Sequence, residues 1–338
     1  MNINLINRNQ YIGAIFLFFL LFLITITITP LIGSVEINLE KAFSKDLAFN
    51  DNVDANILFL ARIPRIILAA LTGAALSVAG AVLQSLLRND LAAPFTLGVS
   101  SGAALGAVIA ISLGLPHVIS GIPTVPIAAF LGALGAITLV FSLARTRIGE
   151  FPTPVLLLAG VTANFFFAAL VMLIHYLSDF TQSFRIVRWL MGGLDITSYK
   201  TLISISPMIF IGFGVLMFYS RDLNIISTGI HSAMSRGVEV IKVQKIGFIM
   251  ASLLTGAVVA LSGPIGFVGL IVPHIVRLIV GPDLRILLPA SIFFGASFLI
   301  ICDTLARTII APTEIPVGII TAMLGGPFFV WLLKRPKT

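Results

Sequence analysis

Residues 61–80 read "ARIPRIILAALTGAALSVAG". Two arginines three positions apart, Arg62 and Arg65, open a run of small and branched apolar residues that predicts a buried helix over 64–86. That is about the 20 residues a helix needs to cross the hydrocarbon of a bilayer. Working outward, the decamer "LTGAALSVAG" at 71–80 returns without gaps as "LTGAVVALSG" at 254–263, sharing Leu, Thr, Gly, Ala and the final Gly. Either a small-residue-rich segment matches by chance, or the chain carries an internal repeat whose two copies run in opposite directions, as in alternating-access transporters.

The composition sets the class. Of 338 residues, 58% are hydrophobic and 10% charged, and mean hydropathy is +1.09, whereas soluble domains carry about 25% charged residues. The chain reads as an all-α, polytopic membrane bundle forming one domain over 1–338. Ten apolar blocks are candidate spans: 11–33, 64–86, 95–115, 123–144, 154–177, 200–219, 246–264, 267–281, 286–305 and 315–333. The first is too long for a signal-peptide core and lacks an A-x-A-like site, so it is expected to be retained.

Ten crossings place both termini on one side, and the tail Lys334, Arg335 and Lys337 assigns them to the cytoplasm. The outside then holds Lys41, Lys45, Arg62, Arg65, Arg185, Arg188, Lys200 and Arg307. The other basic residues, Arg145, Arg147 and Arg221 among them, lie inside. Glu36, Glu40, Asp46, Asp51 and Asp54 fit an external loop after the first span. Arg62 and Arg65 thus sit at an outer mouth, where they either snorkel to lipid headgroups or serve a site; residue chemistry alone leaves both open.

After each decamer the apolar pattern is interrupted, by "LLRNDLAAPFTLGVSSG" and by "PIGFVGLIVPHIVRLIVGPD". Freed backbone at membrane depth is tolerated only where it faces protein or water, so matched breaks point to a pathway or gate. Gly98, Gly102 and Gly106, four apart, form a ridge for close helix approach.

The chemistry of an enzyme is missing. There is no G-x-x-x-x-G-K-[ST] phosphate loop, no G-x-S-x-G, and no H-x-x-x-H pair among His117, His175, His231 and His274. The lone Cys302 excludes an internal disulfide and a cysteine-cluster metal site. No catalytic residue, metal or bound cofactor is expected. The net charge of +7 is spread over span ends, which argues for topology and against nucleic acid. Acids fall at helix ends: Asp179 and Asp195 flank one outer loop, Asp303 and Glu314 another. That weakens a proton-driven carrier. Asp303 and Arg307, four apart, read as a local helix pair. An ion-coupled secondary transporter and an intramembrane enzyme stand as the other readings.

The blocks "RIPR", "GAALSVAGAVLQSLLRNDLAAPFTLGVSSGAALGA", "LLLAGVTANFFFAAL", "RWLMGGL", "SGPIGFVGLIVPHIVRLIVGPD" and "ARTIIAPTEIPVGIITAMLGGPFFVWLLKR" closely resemble the FecCD family, from about residue 60 onward. These are permease subunits of bacterial ABC importers for iron-siderophores, haem and cobalamin. The resemblance implies a ten-helix homodimeric permease in the cytoplasmic membrane, with the pathway between two copies. Two cytoplasmic ATPase subunits would hydrolyse ATP, and an external substrate-binding protein would deliver the ligand. By motif position it assigns docking of that protein to Arg62 and Arg307, supported by Arg65. It assigns the cytoplasmic gate to Asn89, Leu91, Thr153 and Pro154. Coupling to the ATPases falls in the loop 221–245, at Gly229, Ala233 and Gly237. Phe165, Phe166, Phe167 and the segment 315–325 are implied pathway walls. The chain departs from the pattern at Asp90, where relatives usually have proline, at Ile230 in place of glutamate, and at Arg236 in place of an apolar residue.

Overall fold

The computed structural model describes residues 8–44, 49–116, 118–119, 122–144, 152–195 and 198–334. Lys45, Asp46, His117, Arg145, Arg147, Arg335 and Lys337, used above, lie outside the described residues. Ten apolar helices occupy the ten expected blocks: α1 (Arg8–Ile28), α2 (Ile63–Leu87), α3 (Val99–Ser112), α4 (Thr124–Ala144), α5 (Thr153–Leu177), α6 (Tyr199–Phe218), α7 (Val240–Ser262), α8 (Val268–Val280), α9 (Leu284–Thr308) and α10 (Val317–Lys334). Seven of them are long and apolar enough to cross a membrane; α3, α8 and α10 are shorter. At 1.5 Å per residue the 14 residues of α3 reach about 21 Å, so non-helical segments at its ends must carry the rest of the chain's path.

Helix α2 is the axis of the bundle. It packs against α6, α7, α8 and α9, and nearly its whole surface from Thr72 to Leu87 is buried. A helix apolar on every side belongs inside, and its small residues let backbones meet. A Cβ placed on Gly73 would fall 2.1 Å from the Gly295 carbonyl oxygen of α9, and one on Gly80 would fall 1.8 Å from that of Gly269 on α8. The ridge works likewise: a Cβ on Gly102 or Gly106 would strike the backbone of Gly132 or Ala128 on α4. Gly98 has a different task, ending a 3₁₀ turn (Pro94–Leu97) at φ +80° and opening α3.

The repeated decamers lie on α2 and α7, which pack together with opposite directions: Gly247, near the start of α7, sits beside Val82 and Leu86 at the end of α2. Thr72 and Thr255 are both fully buried. The copies then diverge, since Gly80 stays in helix while Gly263 ends α7 at φ +64°. The chain continues without helix from Gly263 to Phe267 and re-enters helix beside Gly80 of α2.

Two helix boundaries differ from expectation, and two short helices and a strand pair are added. Helix α7 begins at Val240, inside the expected 221–245 loop, because Val240 and Val243 bury against the core. The rest of that loop holds two short helices, Ser220–Thr228 and Ile230–Ser235. Helix α2 has a continuous lead-in from Val53 whose last turns, Ile57–Arg62, are π-helical. A two-residue antiparallel pair, β1 (Val118–Ile119) with β2 (Ile122–Pro123), bridges α3 and α4.

Candidate functional site

At the α2 N-terminal end, the arginines of 61–80 meet residues distant in sequence. Arg65 forks onto Asp303 of α9, with Nε 3.0 and 3.1 Å from the two carboxylate oxygens. Its Nη1 reaches Glu314 at 2.6 Å and Asp195 at 3.8 Å. Asp303 is 1% exposed and also accepts from Arg307 Nε at 3.1 Å. The local Asp303–Arg307 pair is present, but the larger share of Asp303 belongs to Arg65, 238 residues away. Two guanidiniums around one buried carboxylate satisfy a charge that would be costly alone.

Arg62 and Arg307 are not open cations at a mouth. They are 5% and 4% exposed, and the segment after α1 covers them. Arg62 donates to the carbonyls of Pro30 (2.8 Å) and Val35, and Arg307 to that of Ile32 (3.3 Å). Gly33 leaves room for this, since a Cβ there would stand 2.5 Å from Arg62 Nη2. The exposed charges of the rim are Arg188, Asp195 and Glu314, with Arg188 paired to Asp195 at 2.9 Å. Glu314 lies between α9 and α10, whereas Arg188 belongs to, and Asp195 follows, an amphipathic helix (Phe180–Leu190) that Asp179 and Gln182 cap reciprocally. Beside it opens a cavity of about 440 Å³ lined by Arg65, Phe184, Arg188, Asp195, Glu314 and Val317 among others.

The non-helical chain from Gly263 to Phe267 lies against α10. A Cβ on Gly318 of α10 would meet the carbonyls of Met191 and Pro264, and one on Gly325 would enter the Phe267 ring. The glycines of 315–325 therefore let α10 lie against irregular backbone. Phe165 and Phe166 are 75% and 57% exposed and face away from the bundle, whereas Phe167 is 8% exposed and packs in its core. A single helical face cannot present three consecutive side chains, so the structure separates Phe167 from the other two.

At the opposite end of α2, Arg88 (φ +47°) closes the helix and Asn89 caps the next turn through Leu91 N–H at 2.9 Å. Leu91 is exposed. Asp90, the residue standing where relatives usually have proline, forms an ion pair with Arg277 of α8. Arg277 also donates to Gln84 Oε1 at 2.9 Å, joining α2, its loop and α8. The same loop rests on α5: Gly160 touches the Thr96 carbonyl, and Asn164 donates to Phe95 O (2.8 Å) while accepting from Ser101 (2.6 Å). Thr153 and Pro154 form the first turn of that helix. Asn164 went unnoticed in the sequence because one amide in an apolar span gives no sign of its partners.

The two short helices beyond α6 meet at Gly229, whose φ of +142° favours glycine. Ala233 is fully buried, Gly237 turns at φ +80°, Ile230 is partly buried against the core, and Arg236 is exposed. Leu223 and Ile226 seat the first helix in the bundle. Asn224 then bonds α9, donating to Asp283 Oδ1 (2.6 Å) and accepting from Leu284 N–H (2.8 Å). Hydrogen bonds from the Arg285 side chain, opposed by partial burial and reinforced by the Arg285 N–H and Asn224, hold the Asp283 carboxyl below its usual 3.8. No His, Cys, Asp and Glu grouping fit for a metal occurs among the described residues.

An apolar bundle with a charged rim at one end, a separate helical pair at the other and interrupted helices between them defines a membrane transport protein. The FecCD transport family matches residues 19–335, and the chain belongs to it as a permease of the ABC-importer type. It is 43% identical over 301 residues to the cobalamin import system permease BtuC of Halobacterium salinarum (88% of this chain, 78% of the relative). It is 38% identical over 320 residues to the hemin transport system permease HmuU of Yersinia pestis (94% and 95%). A solved inward-facing structure described as a metal-chelate type ABC transporter superposes with TM-score 0.82 at 32% identity, covering 96% of this chain and 99% of that one.

Proposed function

We propose that this chain is the membrane-spanning subunit of a binding-protein-dependent importer that passes a metal chelate or a tetrapyrrole across the cytoplasmic membrane by alternating access. The whole-length fold match to a metal-chelate transporter carries this reading. Two copies pair so that α5 and α10 border the path, with Phe165 and Phe166 among its walls. The Arg65 end faces outward and both termini face the cytoplasm. Two ATPase subunits seat on the helices Ser220–Thr228 and Ile230–Ser235, around Gly229, Ala233 and Gly237. The loops at Asn89, Leu91, Thr153 and Pro154 gate the inner mouth.

An external binding protein docks on the rim that Arg62, Arg65 and Arg307 organise. Because Arg62 and Arg307 lie under backbone carbonyls, the docking protein first meets Arg188, Asp195 and Glu314. Charges at such a rim steer encounter and fix register more than they add affinity. The ion-coupled alternative needs an unpaired carboxylate within the spans; the buried Asp303 is instead paired with two arginines.

The test is uptake of hemin, ferric siderophores and cobalamin into proteoliposomes. Accumulation should require ATP, the ATPase subunits and the binding protein together. Uptake driven by an ion gradient with this chain alone overturns the proposal.

A further inference from the structure

Asn224 holds two groups at once. Its amide spans the side chain of Asp283 and the backbone N–H of Leu284 at the start of α9, while its own helix is seated by Leu223 and Ile226 and touched by Ser85 of α2, whose hydroxyl donates to the Leu223 carbonyl at 3.4 Å. From Asp283, α9 runs unbroken to Thr308. Asp303, near its far end, is the carboxylate around which Arg65 and Arg307 are arranged. The twenty residues between Asp283 and Asp303 span about 30 Å of helix. Midway, Gly295 lies against Gly73 and Ser77 of α2 so closely that a Cβ on Gly295 would stand 2.1 Å from Ser77 Oγ. One continuous helix, with Pro289 in its second turn, is thus bonded at its inner end to the first short helix, crosses α2 at a glycine contact, and carries the charge that orders the rim.

We infer that Asn224 is a positioning residue: through Asp283 and Leu284 N–H it locks the ATPase-facing helix to α9, so that movement of that helix and rearrangement of the Arg65 rim are one motion. The inference rests on the importer reading and adds the route by which the docked binding protein and the ATPases sense each other. Asn224 touches neither nucleotide nor substrate; it acts through α9.

The charge arrangement supplies the test. Asn224→Asp places a second carboxylate 2.6 Å from Asp283 Oδ1, replacing a charge-assisted hydrogen bond by like-charge repulsion. The double exchange Asn224→Asp with Asp283→Asn restores a donor–acceptor pair, and asparagine at 283 still caps α9. The complete complex, with its ATPase subunits and binding protein in lipid nanodiscs, is assayed for subunit copurification, basal ATP hydrolysis and stimulation of hydrolysis by the binding protein. N224D is expected to lose about tenfold in the ratio of binding-protein-stimulated to basal hydrolysis, the scale of one charged hydrogen bond. The double exchange is expected to recover stimulation to within about twofold.

Should N224D fail to assemble, recovery of assembly and stimulation by the exchange supports the lock equally. Wild-type stimulation in N224D, or an exchange no better than N224D, overturns it. If the wild-type chain copurifies no ATPase, the importer reading itself fails, a separate result.

Discussion

Substituting Gly80 by alanine tests whether backbone contact between α2 and α8 holds the centre of the bundle. The added Cβ would stand 1.8 Å from the Gly269 carbonyl oxygen, 2.6 Å from its carbon and 2.8 Å from its Cα. All three atoms are backbone, so no rotamer relieves the clash. Restoring a contact of about 3.4 Å requires α2 and α8 to part by about 1.6 Å. That movement is comparable to the reach of the polar ties below it, Arg277 to Gln84 at 2.9 Å and Gln84 to the Gly269 carbonyl at 3.5 Å, and breaks them. Overpacking costs about 1–3 kcal/mol and the lost charged hydrogen bond about 1.5–3 kcal/mol. The better helix propensity of alanine returns about 0.5–1 kcal/mol.

The net destabilisation of G80A is therefore about 2–5 kcal/mol. Gly135 and Gly214 are exposed positions on α4 and α6 whose Cβ would meet nothing within 4 Å. G135A and G214A should hold or slightly raise the melting temperature of the detergent-solubilised protein, while G80A lowers it and broadens the size-exclusion profile. A G80A midpoint equal to those of the two controls would refute the reasoning.

Arg65→Gln removes three hydrogen bonds to acids and leaves buried Asp303 to Arg307 alone; a loss of about 2–4 kcal/mol is expected in the same melting assay, with Arg65→Lys recovering only part because an ammonium cannot fork. Asp90→Asn removes an ion pair whose acid is 64% exposed, so the midpoint should move by less than about 1 kcal/mol equivalent, and raised salt should reduce the wild-type protein to the variant's value. The Asp283 carboxyl is depressed on folding, so its contribution is present above its unfolded pKa and is lost as pH falls through the lower folded value. Binding-protein-stimulated ATP hydrolysis should therefore show no titration of the Asn224–Asp283 bond between about pH 5 and 8; an inflection there that D283N abolishes would contradict the depressed pKa.

Seven of the ten helices were legible because crossing hydrocarbon imposes a one-dimensional rule, about 20 apolar residues with every backbone group paired within the segment, while α3, α8 and α10 were legible only as apolar blocks that fall short of it. Glycine spacing likewise announced close approach at Gly98, Gly102 and Gly106, whereas the turns at Gly229 and Gly237 came from the structure. The resemblance added the coupling and gate segments by motif. Partnership was another matter. Asp303 pairs with Arg307 four residues on, which spacing reveals, but Arg65 reaches Asp303, Glu314 and Asp195 only because α2, α9 and the α6 and α10 approaches converge.

Sequence alone determined that this chain is a many-span helical bundle, which segments enter the membrane, and where the helices must break. Only the tertiary structure decided that Arg62 and Arg307 lie under backbone carbonyls, that Asp90 is claimed by Arg277, and that Asn224 joins its helix to α9. The physical reason is range: hydropathy and backbone preference act between near neighbours along the chain, whereas an ion pair or a side-chain bond between helices depends on which surfaces packing brings together.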